Sequence, residues 1–201
     1  MNEAKRIVMP IVGKVSARER ARLLGQHPVT VWLTGLSAAG KSTLASELEK
    51  RLIDARRPCY MLDGDNIRAG ISRDLGFGPE DRHENIRRIA EVASLMNDAG
   101  IIAITAFISP YRADRAMARE VVGAERFIEV HVAAPLEVCE RRDPKGLYAK
   151  ARRGEIPDFT GISAPYEPPE SPDLALETAQ ASVEACVQRL FDAVMARIGP
   201  A

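Results

Sequence analysis

Gly35-Leu36-Ser37-Ala38-Ala39-Gly40-Lys41-Ser42-Thr43 fits the pattern G-x-x-x-x-G-K-[ST] at every specified position. Ahead of it, Val29-Thr30-Val31-Trp32-Leu33-Thr34 is β-branched and aromatic and reads as a buried strand. Behind it, Leu44, Leu48 and Leu52 recur every fourth residue, as on one face of a helix. Strand, glycine loop and helix in that order are the context a phosphate-binding loop requires. Gly35 and Gly40 allow backbone conformations closed to residues with a Cβ, so successive amide N–H groups converge on phosphate oxygens at the positive end of the helix. Lys41 is then placed to bridge the β- and γ-phosphates, and the Ser42 hydroxyl to bind the magnesium between them.

At 201 residues the chain suits one α/β domain with a full core and is short for two. The 28 basic and 28 acidic residues balance. A large sequence-independent nucleic-acid footprint needs a basic excess, so no nucleic-acid partner is expected. Cys59, Cys139 and Cys186 are odd in number and lack C-x-x-C spacing, which points away from disulfides or zinc and toward a reducing compartment. No run has the length of a signal peptide or a membrane span, so the expected location is cytoplasmic, without a membrane partner.

Residues 1 to about 28 read as an N-terminal appendage, with Ser16-Ala17-Arg18-Glu19 forming a capping box ahead of a polar helix. Cys59 to Leu62 reads as a second short buried strand ending in Asp63-Gly64-Asp65-Asn66. In open α/β sheets ligands sit beyond the carboxyl ends of strands, so these acidic residues face the nucleotide. Asp63 can hold a metal-bound water and accept a proton from an attacking hydroxyl, while Asp65 or Asn66 can equally cap the next helix. Asp81 and Glu84 resemble a capping box for a helix marked by Ile86, Ile89, Ala90, Ala93 and Met96. Arg82 and Asn85 lie in its first turn, and Arg87 and Arg88 on its solvated face. Ile101 to Phe107 is apolar throughout, as in a strand covered on both faces, and leads to Ile108-Ser109-Pro110 at the same sheet edge. Arg126 to Val132 is a further strand, followed by a helix from Leu136 to Arg142. Residues 143 to about 170 are rich in Gly, Pro, Lys and Arg and suit a lid that closes over a triphosphate and excludes water. Val183, Val187, Leu190, Phe191, Val194 and Ile198 have helical spacing. The whole is expected to be an α/β fold of the P-loop NTPase class: a mostly parallel sheet, helices on both faces and a lid, with the main domain spanning residues 29–198.

A phosphate loop alone does not separate a kinase from a switch or a motor. No Asn-Lys pair exists to begin an N-K-x-D guanine reader, and the strand ending at Ile108-Ser109-Pro110 lacks the terminal Asp usual in motors and transporters. The early Asp63 and the basic lid favour a small-molecule kinase.

Together with the phosphate loop, Asp63 to Arg68, Leu75-Gly76-Phe77, Asp81 to Arg88, Phe107 to Arg112, Lys145 to Tyr148 and Phe159 to Ile162 resemble the adenylyl-sulfate kinase family. The resemblance runs collinearly over roughly residues 15 to 178. It implies phosphorylation of the 3′-hydroxyl of adenosine 5′-phosphosulfate by MgATP, giving 3′-phosphoadenylyl sulfate and ADP. ATP then lies on Gly35 to Thr43, with Mg2+ at Ser42 and Asp63, and catalysis falls to Lys41 and Asp63. By the same carry-over Arg68, Arg82 and Asn85 hold the phosphosulfate and ribose, and Phe77 and Phe159 sandwich the adenine. Ile108 and Ser109 contact substrate, and Lys145 reaches it from the lid. The resemblance also brings a phosphoserine intermediate at Ser109, although direct in-line transfer explains the other residues without one. It further implies a homodimer and, in some members, fusion to a sulfurylase or GTPase domain. Two departures stand out: Ala38 where glycine is common, which fits if its φ is negative, and Ser163-Ala164 where an acidic residue is frequent. The competing readings are a kinase for another nucleoside or sugar, and an idle nucleotide-binding module regulating a sulfurylase partner. Intact Lys41, Ser42 and Asp63 weigh against the second.

Overall fold

The computed structural model describes residue 11 and residues 13–199. The chain forms, in order, α1 (Ala17–Leu24), β1 (Thr30–Thr34), α2 (Lys41–Asp54), β2 (Cys59–Asp63), α3 (Gly64–Ala69), α4 (Pro79–Asp98), β3 (Ile102–Ala106), α5 (Arg112–Val122), β4 (Phe127–Ala133), α6 (Leu136–Arg142), α7 (Leu147–Arg152), β5 (Leu174–Glu177) and α8 (Val183–Ile198). All five strands are parallel in the order β2-β3-β1-β4-β5. β1 and β3 are buried along their whole length, as expected of strands covered on both faces.

Alternation along each strand divides the core. Val31 and Leu33 pack with Leu44, Leu48 and Leu52 of α2 and with Val187, Leu190 and Val194 of α8. Trp32 points to the other face, where it meets Ile86, Ile89 and Ala93 of α4 and Ala118 and Val122 of α5. The two layers of helices hold the sheet rigid, and its carboxyl-terminal edge collects the loops after β1, β2 and β3.

Several boundaries differ from those expected. β2 lies at the sheet edge rather than inside it: only Leu62 is fully buried and Tyr60 is exposed. Cys59 and Met61 are partly covered on the α2 side and Leu62 is buried on the α4 side, and Glu49 Oε1 accepts the Met61 amide at 2.7 Å. α4 begins at Pro79 with Gly78 as N-cap and no side-chain cap, so Asp81 is already inside the helix; proline at the first helical position sets φ without losing a needed donor. The cap of α3 is Asp63 itself, whose side chain accepts the Asp65 amide, and not Asp65 or Asn66. Residues 143–170 are not irregular throughout. They contain α7, whose Tyr148 is buried and meets Phe159 edge-on at 5.0 Å. β5 was not foreseen, because Leu174–Glu177 alternates over only four residues. Val183, at the start of α8, is exposed, and Met96 and Phe191 are only partly covered.

The Ser16–Glu19 capping box forms, with reciprocal bonds of 3.2 and 2.8 Å. α1 lies against the far end of α4, where Arg20 donates to Asp98 O and buried Gln26 ties Pro58 O to Gly100 O. The rest of the expected appendage, residues 1–10 and 12, lies outside the described residues.

Candidate active site

The phosphate loop is shaped by one close approach and one left-handed glycine. A Cβ on Gly35 would meet Val132 O at 2.5 Å, and Gly40 caps α2 with φ of 108°, so neither position admits a side chain without distortion. Gly35 and Leu36 do not line the main cavity. Their carbonyls accept the buried Lys41 ammonium at 2.9 and 2.7 Å, and the Leu36 side chain lies across the loop in a surface groove with Leu136 and Gly161. Burial is the chief cause that lowers the Lys41 pKa to about 8; the Lys145 charge adds to it, while Cys139 and Asp63 oppose it. Ala38 sits at φ of 58°, so the condition under which an alanine fits freely there is not met.

Ser37 to Thr43 open into a cavity of about 910 Å³, within the range of small-molecule sites. At its mouth Ser42 Oγ, from the first turn of α2, donates to Asp63 Oδ2 at the end of β2 at 2.8 Å. The other candidates line the same cavity, brought there from separate elements: Arg68 from α3, Arg82 and Asn85 from α4, Ile108 and Ser109 after β3, Lys145 and Phe159 from the lid. Phe77 stands on the loop before α4 and is largely exposed. The Arg68 guanidinium lies 4.3 Å from the centre of the Phe77 ring and donates to Gly76 O at 2.6 Å.

The cationic side chains are already held by protein partners. Arg82 donates to Phe77 O, Thr160 Oγ1 and Asp158 O, so it fastens α4 to the lid. Lys145 pairs with Asp65, which raises its pKa. Asp65 thus ties the segment after α6 to the strand tip that carries Asp63. Burial lowers the pKa of both Arg68 and Arg82. Asn85 is buried with Oδ1 unpartnered at the cavity wall, a polar atom awaiting a donor. Arg87 and Arg88 stay out of the cavity. Arg87 pairs with Glu84 and Glu91 in solvent, while Arg88 reaches Asp74 and Ile71 O and so braces the segment leading to Phe77.

Other contributors were not singled out from sequence. Arg142, at the end of α6, reaches Ala38 O and Ala39 O of the loop at 3.4 Å and Thr178 O at 2.5 Å. Thr178 Oγ1 donates to Ala39 O at 2.7 Å, and Tyr148 OH donates to Ser37 O at 3.1 Å. Arg142 carried one readable signal, its place at the tip of a helix following a strand end; the Thr178 and Tyr148 contacts span more than 100 residues of sequence. Arg115 is buried against Glu129 and donates to Ser109 O at 2.7 Å. None of the described helices is long and apolar enough to cross a membrane.

A phosphate loop, an acidic strand tip and a cationic segment thus surround one cavity. The family model described as adenylylsulphate kinase matches residues 27–177. The chain belongs to the adenylylsulphate kinase family. The adenylyl-sulfate kinase of Bacteroides thetaiotaomicron is 55% identical over 197 residues, 98% of each chain. That of Shewanella amazonensis is 55% identical over 178 residues, 89% of this chain and 90% of the relative. Among solved structures, the Mycobacterium tuberculosis APS kinase CysC in complex with AMPPNP and APS aligns at a TM-score of 0.80 and 47% identity, covering 84% of this chain and 98% of that one. Adenylylsulphate kinases therefore match both its sequence and its fold.

Proposed function

We propose that the chain transfers the γ-phosphoryl group of ATP to the 3′-hydroxyl of adenosine 5′-phosphosulfate, giving 3′-phosphoadenylyl sulfate and ADP. The observation that carries this reading is the Ser42–Asp63 contact at the mouth of the phosphate loop, opening into the cavity that the substrate candidates line. The amides of Ser37 to Thr43 cradle the triphosphate, and Lys41 leaves its two carbonyl acceptors to bridge the β- and γ-phosphates. Ser42 and Asp63 offer an oxygen-only donor pair, which suits magnesium. Magnesium, when bound there, neutralises charge on the β- and γ-phosphates.

Asp63 accepts the proton of the ribose hydroxyl as it attacks in line. Arg68 and Arg82 give up carbonyl partners for the phosphosulfate, whose anionic oxygens match guanidinium forks better than neutral acceptors do. Asn85 satisfies its bare Oδ1 on the ribose. The adenine enters between Phe77 and Phe159, both on the cavity wall. Lys145 contacts substrate from the lid, whose closure excludes the water that competes as acceptor. Ser109 contributes to binding, and the phosphoryl group passes directly between substrates.

The test is coupled ADP release with adenylyl sulfate, AMP, adenosine and gluconate offered as acceptors. Release stimulated by adenylyl sulfate alone is the expected result. Equal or greater stimulation by gluconate or adenosine would refute the assignment.

A further inference from the structure

Trp32 is the single tryptophan of the chain, fully buried in β1, with ring centroids 6.3 Å from Phe107 and 5.5 Å from Phe127. Its Nε1 donates to Ser109 Oγ at 3.2 Å. An indole N–H can only donate, so the serine oxygen accepts and its own O–H must point elsewhere. Ser109 is 2% exposed, and among the described residues Trp32 is the hydrogen-bond partner of its Oγ, so the O–H has no acceptor there. Ser109 nonetheless lines the substrate cavity.

The backbone around this hydroxyl is fixed from several sides. Ser109 has φ of 38°, a region that residues with a Cβ rarely occupy. Arg115 Nη1 donates to Ser109 O at 2.7 Å, and Thr34 Oγ1 donates to the neighbouring Ile108 O at 2.7 Å. Arg115 is itself buried, bonded to Glu129 at 2.8 Å and to Glu167 O at 2.7 Å. β1 and α5 thus hold one strained serine with a free donor at the edge of the site.

We propose that Trp32 is a positioning residue for the acceptor substrate: its N–H occupies a lone pair of Ser109 Oγ and turns the serine O–H toward an oxygen of bound adenylyl sulfate. This rests on the substrate assignment above. The same contact explains why Ser109 acts as a donor and not as a phosphoryl carrier. Attack by Oγ on phosphorus needs a base to take its proton, and the group at hydrogen-bond distance of Oγ is itself a donor.

Trp32→Phe keeps an aromatic ring between Phe107 and Phe127 while removing the N–H and some buried volume, and the ATP arm and the double variant separate the two losses. The expected result is a rise of about fivefold in KM for adenylyl sulfate, the factor that an ordinary hydrogen bond carries, with KM for ATP unchanged. Ser109→Ala should raise the same KM, and the double variant should do no worse than the larger single effect. An unchanged KM for adenylyl sulfate, equal rises for both substrates, or fully multiplicative effects would overturn the proposal. A second measurement does not depend on either Trp32→Phe or the double variant folding: adenylyl sulfate alone should shift the wild-type tryptophan emission, and Ser109→Ala should suppress that shift. Emission indifferent to adenylyl sulfate, in an enzyme that turns it over, would overturn the role of Trp32 by itself. Failure of the substrate assignment looks different, as wild-type ADP release that adenylyl sulfate does not stimulate, and would overturn both.

Discussion

Raising the pH should weaken ATP binding while strengthening the fold, because Lys41 links both to one proton. In the free protein burial lowers its pKa from 10.5 to about 8. A triphosphate beside Nζ favours the ammonium, so above pH 8 ATP binding takes up a proton. Affinity should then fall about tenfold per pH unit, each unit being worth about 1.4 kcal/mol. Stability has the opposite sign. Between about 8 and 10.5 the unfolded chain keeps the lysine proton that the folded chain has released, so the unfolded state binds more protons and unfolding becomes costlier as pH rises. Over that window the contribution of Lys41 is on the order of 3 kcal/mol. Calorimetric titration with a non-hydrolysable ATP analogue from about pH 7 to about pH 9.5, in two buffers of different ionisation heat, measures affinity and proton uptake together. Urea unfolding at the same pH values measures stability. Lys41→Arg should lose the inflection, since a guanidinium does not titrate there. An affinity flat to the upper end of the range, or binding with no proton uptake, would refute the argument that Lys41 is held below its ordinary pKa and recharged by phosphate.

Asp63→Asn keeps an N-cap for α3, since asparagine caps as well as aspartate, so its thermal midpoint should hold while turnover falls about 10²- to 10⁴-fold. Retained turnover would remove Asp63 from proton transfer and metal binding. Phe77→Ala should weaken adenylyl-sulfate binding by about 1–3 kcal/mol, the stacking range, and leave ATP binding alone; equilibrium titration with each ligand separates the two. Ala38→Gly removes about 1–2 kcal/mol of left-handed backbone strain and gives back about 0.4–1 kcal/mol through the freer unfolded chain, so calorimetry should show a midpoint about 2 °C higher. A lower midpoint would mean that Ala38 packing outweighs its backbone cost.

Much of the site was legible because its chemistry is written locally. Gly35 to Thr43, Asp63 and the run ending at Ile108-Ser109 each announce a loop at a strand tip, and parallel strands put all three tips at one edge. Contacts that join segments far apart were not legible. No spacing rule links Arg142 to Thr178, Tyr148 to Ser37, or Trp32 to Ser109, although each pair meets within hydrogen-bond distance. The edge position of β2 was hidden for a related reason, since a short apolar run does not say whether a partner strand lies on one side or both. Local signals also misled where two were in competition. Asp81 and Glu84 resemble a capping box, yet the helix begins at Pro79, ahead of Asp81, because the proline φ is already helical.

The amino-acid order alone determined that a phosphate loop sits between a buried strand and an amphipathic helix, and that an acidic strand tip and a basic segment over residues 143–170 accompany it. Those features depend on periodicity and on residue chemistry within a few positions. Only the folded chain decided that Ala38 takes a positive φ, that Arg68 and Arg82 donate to backbone carbonyls, and that an indole N–H donates to the serine at the cavity wall. Such facts arise when side chains and carbonyls distant in sequence compete for the same few ångströms, and that competition exists only once the sheet has brought them together.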